Sequence, residues 1–133
     1  MLRKRIIFSL IYSNGFFNQS RNFQLQKVGD IKWLENFYKL NEISFSIDEL
    51  IIVNSNKENK NISEFSLNIS KIVKNVFVPI AAGGGIRKIL DAEMLFKNGA
   101  DKIIVNSPLI ENPSFVTELV KKYGSQSIVA SLD

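Results

Sequence analysis

"VPIAAGGGIRK" (residues 78–88) passes from an apolar run through three consecutive glycines into what reads as the start of a helix. Glycine loses more conformational freedom on folding than any other residue and packs nothing, so Gly83, Gly84 and Gly85 need a reason. Either the backbone turns tightly there, or something comes very close to it.

The same alternation runs along the rest of the chain. Short apolar runs occur at 5–11 (RIIFSLI), 49–53 (ELIIV), 76–82 (VFVPIAA), 102–106 (KIIVN) and 127–132 (SIVASL). Each is nearly continuous in Val, Ile and Leu, the pattern of parallel strands covered on both faces. Between them lie stripes at helical spacing: Trp33, Leu34, Phe37 and Tyr38; Phe65, Ile69 and Ile72; Ala92, Leu95, Phe96 and Gly99; Phe115, Val116, Leu119, Val120 and Tyr123. Such stripes pack against a sheet far more often than they line a cofactor. Asn98-Gly99 closes the third helix, Pro113 opens the fourth and Gly124 ends it. The order is four βα units and a fifth strand, an α/β chain. Right-handed crossovers leave two architectures, an open doubly wound sheet or part of a (β/α)₈ barrel. A whole barrel needs roughly 250 residues, and this chain has 133. The ending on an apolar strand with no covering helix favours one partial barrel domain over residues 1–133, truncated after its fifth strand.

Composition narrows the chemistry. With no cysteine and no histidine, disulfides, thiol nucleophiles, the usual zinc sites and histidine bases are excluded. Carboxylates, lysines or tyrosines must move any protons, and neither metal nor cofactor is expected. The formal charge is +4, from scattered rather than striped lysines. It suits a solvated surface or an anionic small molecule and gives little support to nucleic acid. At the basic start, Ile6 to Tyr12 is too short and too interrupted for a signal peptide, and no stretch has membrane-spanning length. A cytoplasmic chain without a membrane partner is expected. The segment 12–30 reads as a long loop of the kind that often forms lids. The asparagine-rich 53–63 reads as a mobile loop, with Ser63 or a neighbour capping the helix that follows.

Ligands of parallel α/β proteins gather at the carboxyl ends of the strands. Those ends carry Ile11, Tyr12 and Ser13; Asn54 and Ser55; the glycines; Asn106 and Ser107; and Asp133. A single glycine would mean a tight turn. Three before a helix favour a backbone open to phosphate, although the pattern is neither a Walker loop nor GxGxxG. Asn106 and Ser107 could donate to the same anion, or simply make a turn. At the opposite ends, Arg5, Glu49 and Lys102 could form a charged plug. A functional reading of them needs a passage through it.

"KRII" (4–7), "GD" (29–30), "DELIIV" (48–53), "PIAAGGGIR" (79–87), "NGADKIIVNSPLIENP" (98–113) and "YGSQSIVASLD" (123–133) together resemble the cyclase subunit of imidazole glycerol phosphate synthase. The likeness implies the N-terminal half of a (β/α)₈ barrel that takes ammonia from a separate glutaminase subunit, in a heterodimer. That enzyme of histidine biosynthesis, a lyase-type glutamine amidotransferase, acts on a phosphorylated ribulosyl imidazole-carboxamide. By the same likeness, Arg5, Glu49 and Lys102 match the ammonia entrance and Asp101 the glutaminase interface. Gly84, Gly85, Asn106 and Ser107 match one of two phosphate sites, and Asp133 one of two catalytic aspartates. The other aspartate falls at Ile11, a lysine of the following loop at Gln19, and a further aspartate at Asn54. Isoleucine transfers no proton, and losing one of a paired acid and base commonly removes about 10²–10⁴-fold in rate. This combination resembles the family's paralogues in surface-polysaccharide synthesis, where the ammonia goes on to amidate a sugar. The rival expectations are a non-catalytic phosphate-binding half-barrel and a related sugar-phosphate isomerase.

Overall fold

A computed structural model of the chain describes residues 2–132. Seven strands are described: β1 (Ile7–Ser13), β2 (Phe16–Arg21), β3 (Gln24–Gly29), β4 (Glu49–Asn54), β5 (Ile80–Gly83), β6 (Lys102–Val105) and β7 (Ile128–Ala130). They form one sheet in the order β3-β2-β1-β4-β5-β6-β7. The five expected strands are β1, β4, β5, β6 and β7, each parallel to the next. These five parallel strands step the same way across the sheet, in chain order. An open doubly wound sheet reverses direction at a switch point; with right-handed crossovers, an order without reversal puts every helix on one face. This is the layout of a (β/α)₈ barrel wall.

The expected long loop over 12–30 is instead largely a hairpin. Asn14 (φ 48°) and Gly15 (φ 81°) turn β1 back into antiparallel β2, and Asn22 (φ 53°) and Phe23 (φ 61°) turn β2 into β3. Two consecutive left-handed residues match the right-handed twist of the strands they join. β2 pairs with β1 only at Ile11, Tyr12 and Ser13.

Helices fill the later crossovers, one each after β4 and β5 and two after β6. Asn61, a neighbour of Ser63, caps α3 (Ile62–Val73) by accepting from the Glu64 N–H. The third expected helix, α4 (Ile89–Lys97), stops before Gly99, whose φ is 106°. Pro113 opens α6 (Pro113–Tyr123) as expected, after a short α5 (Pro108–Glu111). The first helical stripe departs from expectation. Asp30 caps α1 (Ile31–Trp33), which runs into a π turn (Leu34–Tyr38), and Lys39 (φ 48°) breaks the chain before α2 (Leu40–Ile43). Only Leu34 of that stripe is fully buried, and Phe37 is exposed.

Strand periodicity sorts the residues between the two faces. Leu10, Tyr12, Leu50, Ile52, Ile80, Ala82, Ile103 and Val105 join a core with Phe65, Ile69, Leu95 and Leu119 from the helices. Each buried Val, Leu, Ile or Phe among them contributes about 1.5–3 kcal/mol by leaving water. The alternate residues point to the other face. One row there is Ile11, Val53, Gly83, Ile104 and Val129, successive partners in the sheet register.

Candidate functional site

At the carboxyl ends of β4, β5 and β6 the chain opens a cleft of about 350 Å³. Gly84 and Gly85 form one wall and Asn106 and Ser107 another, so the four residues expected to bind phosphate surround a single space. Gly84 (φ 101°) and Gly85 (φ 83°) are both left-handed. A Cβ on Gly84 would overlap the Asn54 carbonyl, and one on Gly85 would overlap the Lys60 side chain. The glycines are therefore already required by the chain's own close packing, while the same turn bares backbone toward the cleft. No described residue accepts from the Gly85 or Ser107 N–H groups.

The helix end behind the glycines is not open to an anion in the way the sequence suggests. The buried Asp91 carboxylate accepts from Arg87 N at 3.0 Å and Lys88 N at 3.1 Å. The two donors that lead into α4 are thus satisfied within the protein, and a carboxylate already occupies its amino end.

Two cations that sequence reasoning passed over line the cleft, Lys60 and Arg87. Arg87 is paired with Glu111 of α5. Lys60 donates to the Asn54 carbonyl at 3.3 Å and has no carboxylate partner among the described residues. Burial lowers its pKa from the ordinary lysine value, and the Arg87 charge lowers it further. Lys60 reaches the cleft because the asparagine-rich segment, expected to be mobile, is tied in place. Asn54, 1 % exposed, donates to the Lys60 carbonyl and accepts from Asn56 N. Asn56 in turn accepts from Ser13 Oγ at 2.6 Å and Asn14 N at 2.9 Å. Asn54 thus organises this loop from the helix side of the sheet.

The amino ends of the strands hold a second cluster. Lys102 Nζ lies 3.1 Å from Glu49 Oε1; the Glu49 side chain is 8 % exposed and that of Lys102 29 %. Arg5 precedes β1 and is exposed, with no ion-pair partner among the described residues. Two of the three expected entrance residues are thus in contact. Asp101 accepts from the Ile80 N–H at 2.8 Å and so ties β6 to the start of β5. Replacing Lys102 with methionine would strand a nearly buried carboxylate. Breaking a fully buried pair costs about 3–5 kcal/mol; discounted for the partial exposure of Lys102, the expected loss is about 2–3 kcal/mol. Urea denaturation of Lys102→Met measures it, and adding Glu49→Gln should recover most of the stability.

The remaining expected site residues are not gathered with these. Gln19 lies on β2, where its amide donates to Tyr38 Oη at 3.2 Å. Tyr38 packs edge-on against Phe8 among the side chains that flank the core. Ile11 sits in the apolar row with Val53, Gly83, Ile104 and Val129, which holds no proton-transfer group. Asp133 is outside the described residues. No helix among the described residues is long and apolar enough to cross a membrane.

Residues 25–133 match the family described as Histidine biosynthesis protein. Over its whole length the chain is 47% identical to a protein of Parasynechococcus marenigrum provisionally named imidazole glycerol phosphate synthase subunit hisF2, covering 49% of it. It is 37% identical to the imidazole glycerol phosphate synthase subunit HisF of Campylobacter jejuni and 34% to that of Chlorobium phaeovibrioides, covering 51% and 52% of them. The chain thus spans about half the length of the curated relatives it matches.

Proposed function

The chain belongs to the histidine biosynthesis protein family, and from that premise we propose that it forms the first half of a cyclase-type barrel, as one partial domain. In this reading it binds a phosphorylated small molecule and passes it ammonia released by a glutaminase subunit. The observation that carries the reading is the cleft at the carboxyl ends of β4, β5 and β6. There Gly84, Gly85, Asn106 and Ser107 converge with Lys60 around a space able to hold a phosphate. Phosphate oxygens accept hydrogen bonds, and backbone N–H groups at a glycine turn supply donors without a side chain in the way.

The Glu49–Lys102 pair and Arg5 stand at the far end of the same strands and would form the entrance for ammonia. Ammonia has to cross as the neutral molecule, since a charge loses its hydration in an apolar passage. The row Ile11, Val53, Gly83, Ile104 and Val129 suits such a passage. Phe45 and Phe77, 80% and 73% exposed with ring centroids 6.0 Å apart, precede β4 and β5 at that end. Exposed aromatic side chains at the end of the sheet that also carries Asp101 suit a docked glutaminase subunit.

Ring closure in the histidine-pathway enzyme calls for a facing acid and base, and Ile11 removes one. We therefore favour the paralogous use of the ammonia, amidation of a sugar in surface-polysaccharide synthesis, with Asp133 as the remaining carboxylate. The higher identity to the protein named hisF2 than to those named HisF fits a divergent branch. The test supplies the completed barrel with a glutaminase subunit, glutamine and the histidine precursor. Glutamine hydrolysis coupled to this protein with little imidazole glycerol phosphate is expected. Product formed at the rate of a HisF-containing enzyme would overturn the sugar-amidating assignment. Failure to stimulate any glutaminase would overturn the amidotransferase reading itself.

A further inference from the structure

We infer that Lys60 is the charge-bearing ligand of the cleft, holding a phosphoryl oxygen of the substrate against the Gly85 backbone, and that Arg87 is a second cation drawn from Glu111 when the anion arrives. The inference rests on the proposed phosphorylated substrate and adds to it the residues that neutralise its charge.

Three observations converge on it. The Lys60 side chain lies across Gly85, where any Cβ would overlap it, so the glycine leaves room for the lysine to run along the cleft wall. Its ammonium meets one carbonyl, that of Asn54, at 3.3 Å. An ammonium has three donors, and no carboxylate accepts from this one among the described residues. A partly buried cation without a counter-ion is unfavourable unless an anion joins it. The burial and the nearby Arg87 that depress its pKa are the same conditions an incoming dianion would relieve.

Arg87 supplies the second charge. It lines the same cleft and is held by Glu111, with both side chains 58% exposed. An exposed pair of this kind is worth little in water. A phosphate dianion beside Lys60 offers the guanidinium a bidentate partner of greater charge. Glu111 belongs to α5, which begins right after Ser107, so the exchange takes place beside the cleft.

The test titrates the full 133-residue chain with inorganic phosphate and follows backbone amide shifts by NMR. Wild-type shifts should centre on Gly84, Gly85 and Ser107. Lys60→Met is expected to weaken binding by about 10–100-fold, the range for losing a hydrogen bond to a charged group, and Lys60→Arg should retain most of it. Glu111→Gln frees Arg87 and should tighten binding several-fold, which keeps the proposal testable should Lys60→Met not fold. Unchanged affinity in both Lys60→Met and Glu111→Gln, with the same amides shifting, would overturn the inference while leaving the phosphate cleft intact. No shifts at the cleft in the wild type would overturn both.

Discussion

Replacing Ile11 by aspartate in the completed barrel is expected to raise formation of imidazole glycerol phosphate by about 10²–10⁴-fold, the range that one positioned general acid or base supplies. Ile11 is half-buried and in register with Val53, on the face of β1 opposite Leu10 and Tyr12. A carboxylate there would enter the apolar row without displacing a core side chain. Adding Gln19→Lys should contribute less while the hairpin lies as described. From β2 the residue 19 side chain is held by Tyr38, across a cavity that Ile11 also lines. The measurement is steady-state product formation with free ammonia and with glutamine plus the glutaminase. Equal rates for wild type and Ile11→Asp, both at the level of a HisF-containing enzyme, would show that ring closure here needs no group at position 11.

The second large effect is on stability. Gly84→Ala should destabilise the fold by about 2–5 kcal/mol, from the left-handed backbone and forced overpacking together. Its Cβ would overlap the Asn54 backbone, which belongs to β4 and has little room to give. Gly85→Ala shares the positive φ, but the obstacle there is the stem of Lys60, a flexible side chain. It should cost less in stability and more in phosphate affinity, because it pushes the proposed ligand aside. Urea denaturation of the two variants checks the order. Equal midpoints would mean that the β4–β5 contact is looser than the structure shows.

How much of this was legible beforehand depended on what local pattern records. The parallel strands were legible because both faces are covered, leaving uninterrupted runs such as Leu50 to Val53. The helix ends at Gly99, Pro113 and Gly124 were legible because backbone chemistry fixes those residues. The hairpin was not, although Asn14-Gly15 is a strong turn signal. Its second turn places Phe23 at φ 61°, a conformation that bulky residues rarely adopt. The polar sequence from Asn18 to Gln26 also lacks an apolar face.

The candidate site divides the same way. Gly84, Gly85, Asn106 and Ser107 were visible as strand-end residues, and parallel topology alone brings them together. Lys60 was hidden in "NSNKENKNIS", whose polar composition suggested an unstructured link. The tie is tertiary, through the buried side chains of Asn54 and Asn56, and no periodicity announces it. The one available signal was position, a cation between β4 and α3 on the cleft side. Asp91 was hidden likewise, so the α4 end looked more receptive to anions than it is.

The short grip of the hairpin on β1 has a consequence for how other polypeptide can attach. Only three rungs, Ile11 to Ser13, are taken by β2, and Ile7 to Leu10 keep that flank unladdered among the described residues. A newcomer strand joining on this side finds a landing strip four residues long, or must first peel Phe16–Asn18 away. Its length and register are thereby rationed by a turn at Asn14-Gly15 that does not itself line the cleft.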